Sequence, residues 1–102
     1  MINIIHDRDR ALRMADLSFN MLVPYYLMAS YLYYELDVSL FPDEEYDKVC
    51  LHLDLFWDGI EHQHKHLIDR GALSATTGYT IKDYPLRVMH GAQLLAKQRG
   101  LL

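Results

Sequence analysis

The stretch YLYYELDVSLFPDEEYD, residues 31–47, decides the fold. Its first seven residues continue a helical pattern, Val38 to Pro42 form a turn, and three acidic residues then open a second helix. Proline is tolerated at a helix N-terminus, and acidic side chains in the first turn interact favourably with the helix dipole. A connection this short makes consecutive helices antiparallel neighbours, so the stretch predicts a helical hairpin.

Five side chains of this stretch are candidates for one site. Asp43, Tyr46 and Asp47 follow the spacing i, i+3 and i+4, so they share one face of the second helix. Antiparallel packing returns that face to Tyr33 and Tyr34 at the end of the first helix. We therefore expect a small polar and aromatic cluster beside the turn.

The composition is typical of one small folded domain. The chain has 102 residues, of which 51% are hydrophobic, and this is enough for a single core. Ten basic against fourteen acidic residues give a net charge of −4, which argues against non-specific nucleic-acid binding. Cys50 has no partner for an internal disulfide, and neither a signal-peptide pattern nor a long apolar run is evident. We expect a cytoplasmic protein that does not bind membranes.

Further helices are predicted on both sides of the hairpin. Apolar residues at spacings of three and four predict a helix over residues 8–22 with Asp7 as its N-cap. Pro24 then either begins the next helix or kinks a longer one. The second hairpin helix is expected to continue to about Ile68, although Gly59 interrupts it.

The C-terminal part, residues 71–102, predicts a loop followed by a helix. Residues 72–84 lack a helical period, whereas Pro85 precedes a pattern with Leu86, Met89, Leu94 and Leu95 on its apolar positions. The whole chain, 1–102, is therefore expected to form a single all-α domain: an antiparallel helix hairpin with additional N- and C-terminal helices.

The first hairpin helix has two different faces. One carries mainly apolar residues and is assigned to the core: Tyr25, Ala29, Leu32 and Leu36. The opposite face is too polar for complete burial on this interpretation: Tyr26, Ser30, Tyr33 and Asp37. Tyrosine is favoured at protein interfaces, so this second face is also a candidate contact surface.

The run from Glu61 to His66 holds the densest group of histidines. On a helix, His62 and His66 at i and i+4 have a spacing that two metal ligands can use. A third ligand is not evident, so we predict a solvated, pH-sensitive helix face and no metal site.

The hairpin stretch resembles the N-terminal Ia subdomain of bacterial NAD-dependent DNA ligases. That family has Tyr-His, an Asp nine positions later, and then Tyr-Asp after two further residues. Tyr33, Asp43, Tyr46 and Asp47 match this pattern, and Tyr34 stands where the family has His. The resemblance covers about residues 25–55, and small stand-alone relatives of this region occur in bacteriophages.

The resemblance implies a helical module that binds the nicotinamide mononucleotide (NMN) half of NAD through Tyr33, Tyr34, Asp43, Tyr46 and Asp47. It does not imply ligase activity, because none of the four lysines, Lys48, Lys65, Lys82 and Lys97, begins the Lys-x-Asp-Gly motif of the adenylated nucleophile. No catalytic residues are therefore predicted. Two functions remain open: a non-catalytic NMN- or NAD-binding module, and a phage-type protein-interaction or inhibitor module that uses the tyrosine-rich face on a macromolecular partner.

Overall fold

The computed structural model describes residues 12–102, which form a small all-α domain and contain no strand. The fold class is confirmed. Four α-helices are present: α1 (Leu22–Leu36), α2 (Asp43–Leu55), α3 (Arg70–Ser74) and α4 (Leu86–Gln98). Short 3-10 turns lie at Met14–Asp16, Phe19–Met21, Trp57–Gly59 and Lys65–Leu67. None of the helices in this part of the chain has the length and apolar character needed to cross a membrane.

The hairpin of α1 and α2 forms as the stretch 31–47 predicts. Pro24 lies in the first turn of α1, where its missing N–H costs no intrahelical hydrogen bond. At the other end, Asp37 takes a left-handed conformation with φ 56° and ends α1. Pro42 occupies the N-cap position of α2, so the connection between the helices is short and the two helices pack together.

Helix α4 packs on the other side of α1, and its buried positions differ from the expected ones. Leu86 and Leu94 are exposed, whereas Val88, Ala92 and Ala96 are buried. Small side chains at this contact let the two helices approach closely.

The central position of α1 also corrects the assignment of its faces. Tyr26 and Ser30, which we expected on a partly exposed face, are completely buried. The physical reason is that α2 and the segment after α3 cover this face: the Tyr26 hydroxyl donates to the Thr77 carbonyl, and Tyr46 on α2 hydrogen-bonds Ser30. Ala29 and Leu32 are buried as predicted, while Tyr33 and Asp37 are exposed.

The predicted helix over residues 8–22 is wrong within the described residues. Residues 12–22 contain only two 3-10 turns before α1 begins, and the earlier part with its Asp7 cap lies outside the described residues. The backbone is tied to the hairpin instead, because the Leu12 N–H donates to the Leu40 carbonyl at 2.8 Å and the Met14 N–H donates to Glu45 Oε1 at 2.9 Å.

The predicted extension of α2 to Ile68 is also wrong. The helix ends at Leu55, and a 3-10 turn over Trp57–Gly59 redirects the chain. Lys65 stabilises this arrangement by donating from Nζ to the Trp57 carbonyl at 2.6 Å and by lying 4.6 Å from the Trp57 ring centroid. The predicted loop contains the short helix α3 and then irregular structure up to Pro85.

Candidate functional site

The five candidate residues line one cavity at the turn end of the hairpin. Tyr33 and Tyr34 come from α1, and Asp43, Tyr46 and Asp47 come from α2. We call it the tyrosine–aspartate cavity. It measures about 280 Å³, and the rest of its lining comes from α1, the helix connection and the segment after α3: Ala29, Ser39, Leu40, Phe41 and Thr76. The structure therefore brings together every residue that the sequence predicted for this site.

Tyr46 is fixed by a hydrogen bond to the interior of α1. The Ser30 hydroxyl donates to the Tyr26 carbonyl at 2.7 Å, so its oxygen accepts the hydrogen bond of the Tyr46 hydroxyl at 2.9 Å. The Tyr26 ring stacks on Tyr46 with centroids 5.8 Å apart. Burial, and then the neighbouring Tyr26, raise the pKa of Tyr46 far above its ordinary value. Tyr46 is therefore a neutral and rigid part of the cavity wall.

Tyr34 is fixed by the segment that follows α3. Its hydroxyl hydrogen-bonds Thr77 Oγ1 at 2.7 Å, and the backbone N–H of Tyr79 donates to the same oxygen at 3.1 Å. The Tyr26 hydroxyl donates to the Thr77 carbonyl at 2.6 Å. One residue outside the hairpin thus orients two of its tyrosines.

Gly78 allows this segment to approach α1. A Cβ atom at position 78 would overlap Ser30 Oγ and would lie 2.7 Å from Ser30 Cβ and 2.9 Å from the Tyr46 hydroxyl. A side chain is therefore excluded at the point where the C-terminal segment contacts the Ser30–Tyr46 hydrogen bond.

Thr76, at the rim of the cavity, has a strained backbone. Its φ is 52°, a left-handed conformation that is rare for a β-branched residue. It follows the C-cap of α3, and the Thr76 N–H donates to the Leu73 carbonyl while the Thr77 N–H donates to the Ala72 carbonyl. This is the Schellman pattern, in which glycine is the usual residue at the left-handed position.

Four polar side chains in the lining have no partner within the described residues. The carboxylates of Asp43 and Asp47 make neither a hydrogen bond nor an ion pair, and the hydroxyls of Tyr33 and Ser39 make no hydrogen bond. Glu45, an acid in the first turn of α2, does have partners: its carboxylate accepts hydrogen bonds from Lys48 Nζ and from the Met14 N–H. These contacts lower the pKa of Glu45, with the Lys48 hydrogen bond as the main cause.

The lining favours a cation with an aromatic ring. It combines two carboxylates with three tyrosine rings, and it contains no Lys, Arg or His from residues 12–102. Tyrosine faces attract cations, and carboxylates accept hydrogen bonds from amides and hydroxyls. The nearby Cys50 is buried, and burial raises the pKa of its thiol to about 12, so it is a neutral core residue.

Ser30, Thr77 and Gly78 hold the cavity together but are not among the predicted site residues. Ser30 was assigned to a partly exposed face, and the segment around Thr77 was predicted only as a loop. Their contacts join positions that lie 16 to 51 residues apart in sequence, so the short-range spacing of residues does not predict them.

Two of the eight tyrosines are buried and four more are half-buried, which changes the proposed contact surface. Tyr26 and Tyr31 are 0% and 7% exposed, and the Tyr31 hydroxyl accepts from Gln93 Nε2 on α4 at 2.9 Å. Only Tyr33 and Tyr79 are largely exposed tyrosines within residues 12–102. An extended tyrosine-rich interface along α1 therefore loses two of its central members.

The histidine segment, residues 60–67, does not form the predicted helix face. Since α2 ends at Leu55, His62 and His66 are not on consecutive turns of a helix. His62 Nδ1 instead accepts from the His64 N–H at 3.1 Å, and the two rings are 5.5 Å apart. Burial, and then the neighbouring His64, lower the pKa of His62. No three metal-binding side chains converge anywhere in residues 12–102.

Comparison of the chain with protein-family models, with curated proteins and with solved structures gives no match.

Proposed function

We propose that this protein is a non-catalytic module that binds the nicotinamide nucleotide portion of NMN or NAD in the tyrosine–aspartate cavity. The observation that supports the proposal is the convergence of all five residues implied by the ligase Ia resemblance on one open cavity. In the hairpin, α1 contributes the rings of Tyr33 and Tyr34, and α2 contributes the two carboxylates and the ring of Tyr46.

The chemistry of the lining suits the nicotinamide ring. In NMN and NAD the ring is a pyridinium cation with a carboxamide group. The Tyr33 and Tyr34 rings lie 4.9 Å apart at an interplanar angle of 88°, so they pack edge to face and form a continuous aromatic part of the lining beside a bound ring. The unpaired carboxylates of Asp43 and Asp47 provide acceptors for the carboxamide and for the ribose hydroxyls.

The volume of the cavity suggests which part of the dinucleotide it holds. Pockets for drug-sized ligands enclose about 300–1,000 Å³, so a cavity of about 280 Å³ suits a ring with its ribose rather than a whole dinucleotide. The proposed ligand is therefore the nicotinamide half, with any further part of NAD lying outside.

Titration calorimetry with NMN tests this proposal. We expect saturable binding to the unaltered protein, and about tenfold weaker binding to Asp47→Asn, because a hydrogen bond to a charged group contributes about 1.5–3 kcal/mol. Glu61→Gln is the matched control. Glu61 follows the far end of α2, which has 13 residues and is about 20 Å long, and it does not line the cavity.

Two results would count against the proposal. One is the absence of saturable binding at millimolar NMN. The other is an equal loss of affinity in Asp47→Asn and Glu61→Gln, since this would show that the protein's overall charge and not the cavity determines binding.

A further inference from the structure

We infer that the tyrosine–aspartate cavity recognises the cationic nicotinamide riboside portion of its ligand and that residues 12–102 provide no phosphate site in it. The inference rests on the proposed function and specifies the ligand more closely. It predicts that nicotinamide riboside, which has the pyridinium and the ribose but no phosphate, binds more tightly than NMN.

The charges in the lining support this order of affinity. Asp43 and Asp47 place two carboxylates at the cavity, and no basic side chain of residues 12–102 lines it. Both carboxylates are unpaired within the described residues, so no ion pair reduces their field. The carboxylates attract a pyridinium ring, whereas they repel a phosphate monoester that carries about −1.5 to −2 charge at pH 7.

The lysines on the elements around the cavity are engaged elsewhere. Lys48 on α2 forms an ion pair with Glu45 at 2.8 Å, and neither residue lines the cavity. Lys82 lies over the Tyr79 ring, with Nζ 5.1 Å from the centroid. A phosphate group therefore finds no unengaged lysine on the walls of the cavity.

The fixed tyrosines also limit phosphate binding. The Tyr46 hydroxyl donates to Ser30, and the Tyr34 hydroxyl is hydrogen-bonded to Thr77. Of the three tyrosines in the lining, only Tyr33 has a hydroxyl without a partner in the described structure. The Tyr33 phenol and the Ser39 hydroxyl, the other lining hydroxyl without a partner in the described residues, are neutral and do not replace the cationic donors that phosphate sites usually contain.

The rings of Tyr46 and Tyr34 also contact neighbouring rings, Tyr46 on Tyr26 and Tyr34 on Tyr33 and Tyr79. Tyr33, which is 47% exposed, offers the most accessible ring to a cation.

A panel of three ligands separates these contributions. Nicotinamide riboside and NMN differ only by the phosphate, and dihydronicotinamide riboside keeps the ribose but has an uncharged ring. At about 50 mM salt we expect nicotinamide riboside to bind roughly threefold to tenfold more tightly than NMN. The reason is that salt screens only part of the repulsion between the phosphate and the two carboxylates. We expect the dihydro compound to bind at least about tenfold more weakly than nicotinamide riboside.

Variants and salt locate the effect in the cavity. In Asp43→Asn/Asp47→Asn the ratio of the two affinities should fall towards one, while Glu61→Gln should leave it unchanged. Because neither aspartate has a partner among residues 12–102, circular dichroism should show that the double variant keeps its fold. With the unaltered protein, an increase in salt to about 300 mM should also reduce the ratio.

The outcomes are distinguishable. If NMN binds as tightly as nicotinamide riboside, or more tightly, the inference fails and the proposed function stands. If the dihydro compound binds as well as nicotinamide riboside, ring charge does not contribute and the inference also fails. If none of the three ligands binds, the proposed function fails and the inference fails with it.

Discussion

The two ends of α2 show what determines whether a spaced set of polar residues becomes a site. At the N-terminal end, Asp43, Tyr46 and Asp47 lie within the helix and meet α1 at the tyrosine–aspartate cavity. Beyond the C-terminal end, the histidine segment has a similar spacing but no helix to support it. The first region is held by hydrogen bonds to distant residues such as Ser30, whereas the bond between His62 and His64 is local. Long-range contacts, and not spacing alone, account for the difference.

The largest expected difference between the two regions is in the cost of replacing a glycine. Gly78→Ala should destabilise the protein by about 3 kcal/mol, because the new Cβ would overlap the side chain of Ser30 in a closely packed interior. Gly59→Ala, beside the histidine segment, should change the free energy of unfolding by less than about 0.5 kcal/mol, since no atom lies within 4 Å of its added Cβ. Urea denaturation measures both, and similar values for the two variants would show that the cavity region is not closely packed at Gly78.

The next effect concerns the buried hydrogen bond of the cavity wall. Ser30→Ala should cost about 1 kcal/mol, because it leaves the hydroxyl of the half-buried Tyr46 without its acceptor. Tyr46→Phe in the same background should cost little more, so the two changes should couple by about 1 kcal/mol in a double-mutant cycle.

A histidine provides the contrast to this cycle. His64 Nε2 is buried without a partner in the described structure, so His64→Leu removes no hydrogen bond of this atom and should stabilise the protein by about 1 kcal/mol, because an unsatisfied buried polar atom is replaced by an apolar side chain. Additive effects of Ser30→Ala and Tyr46→Phe, or a large cost for His64→Leu, would contradict the distinction between the two regions.

An effect of similar size is expected at the strained rim of the cavity. Thr76→Gly should stabilise the protein by about 1 kcal/mol, because the left-handed conformation costs an L-residue other than glycine about 1–2 kcal/mol. The reverse change at the equivalent position after α4, Gly100→Thr, should destabilise by a similar amount, since Gly100 has φ 72°. Thermal unfolding compares the two. Loss of stability in Thr76→Gly would mean that contacts of the Thr76 side chain outweigh the backbone strain.

The sequence predicts the hairpin and the members of the cavity because those features depend on local signals. Pro42 with the acids that follow it fixes the start of α2, and the spacing of Asp43, Tyr46 and Asp47 fixes their common face. The burial of Tyr26 and Ser30 was not predictable in this way, because it depends on contacts with Tyr46 on α2 and with the segment at Thr77 and Gly78. The premature end of α2 is similar, since Lys65 stabilises the turn at Trp57 through a tertiary contact. Local patterns therefore identify the residues of the site, and long-range packing decides which of them are exposed.

The smallest expected effect is the pH dependence that His62 gives to the histidine segment. Its pKa is lowered from the ordinary value of 6.5, so the folded state binds the proton less readily than the unfolded state does. The stability associated with His62 is therefore present above about pH 6.5 and is lost as the pH falls through the lowered value. Urea denaturation at pH 7.5 and pH 5.5 should show a smaller loss of stability in His62→Gln than in the unaltered protein. Gln63→Ala, at an exposed and non-titratable position of the same segment, should retain the full loss. An unchanged pH dependence in His62→Gln would show that burial beside His64 does not affect the folded state measurably.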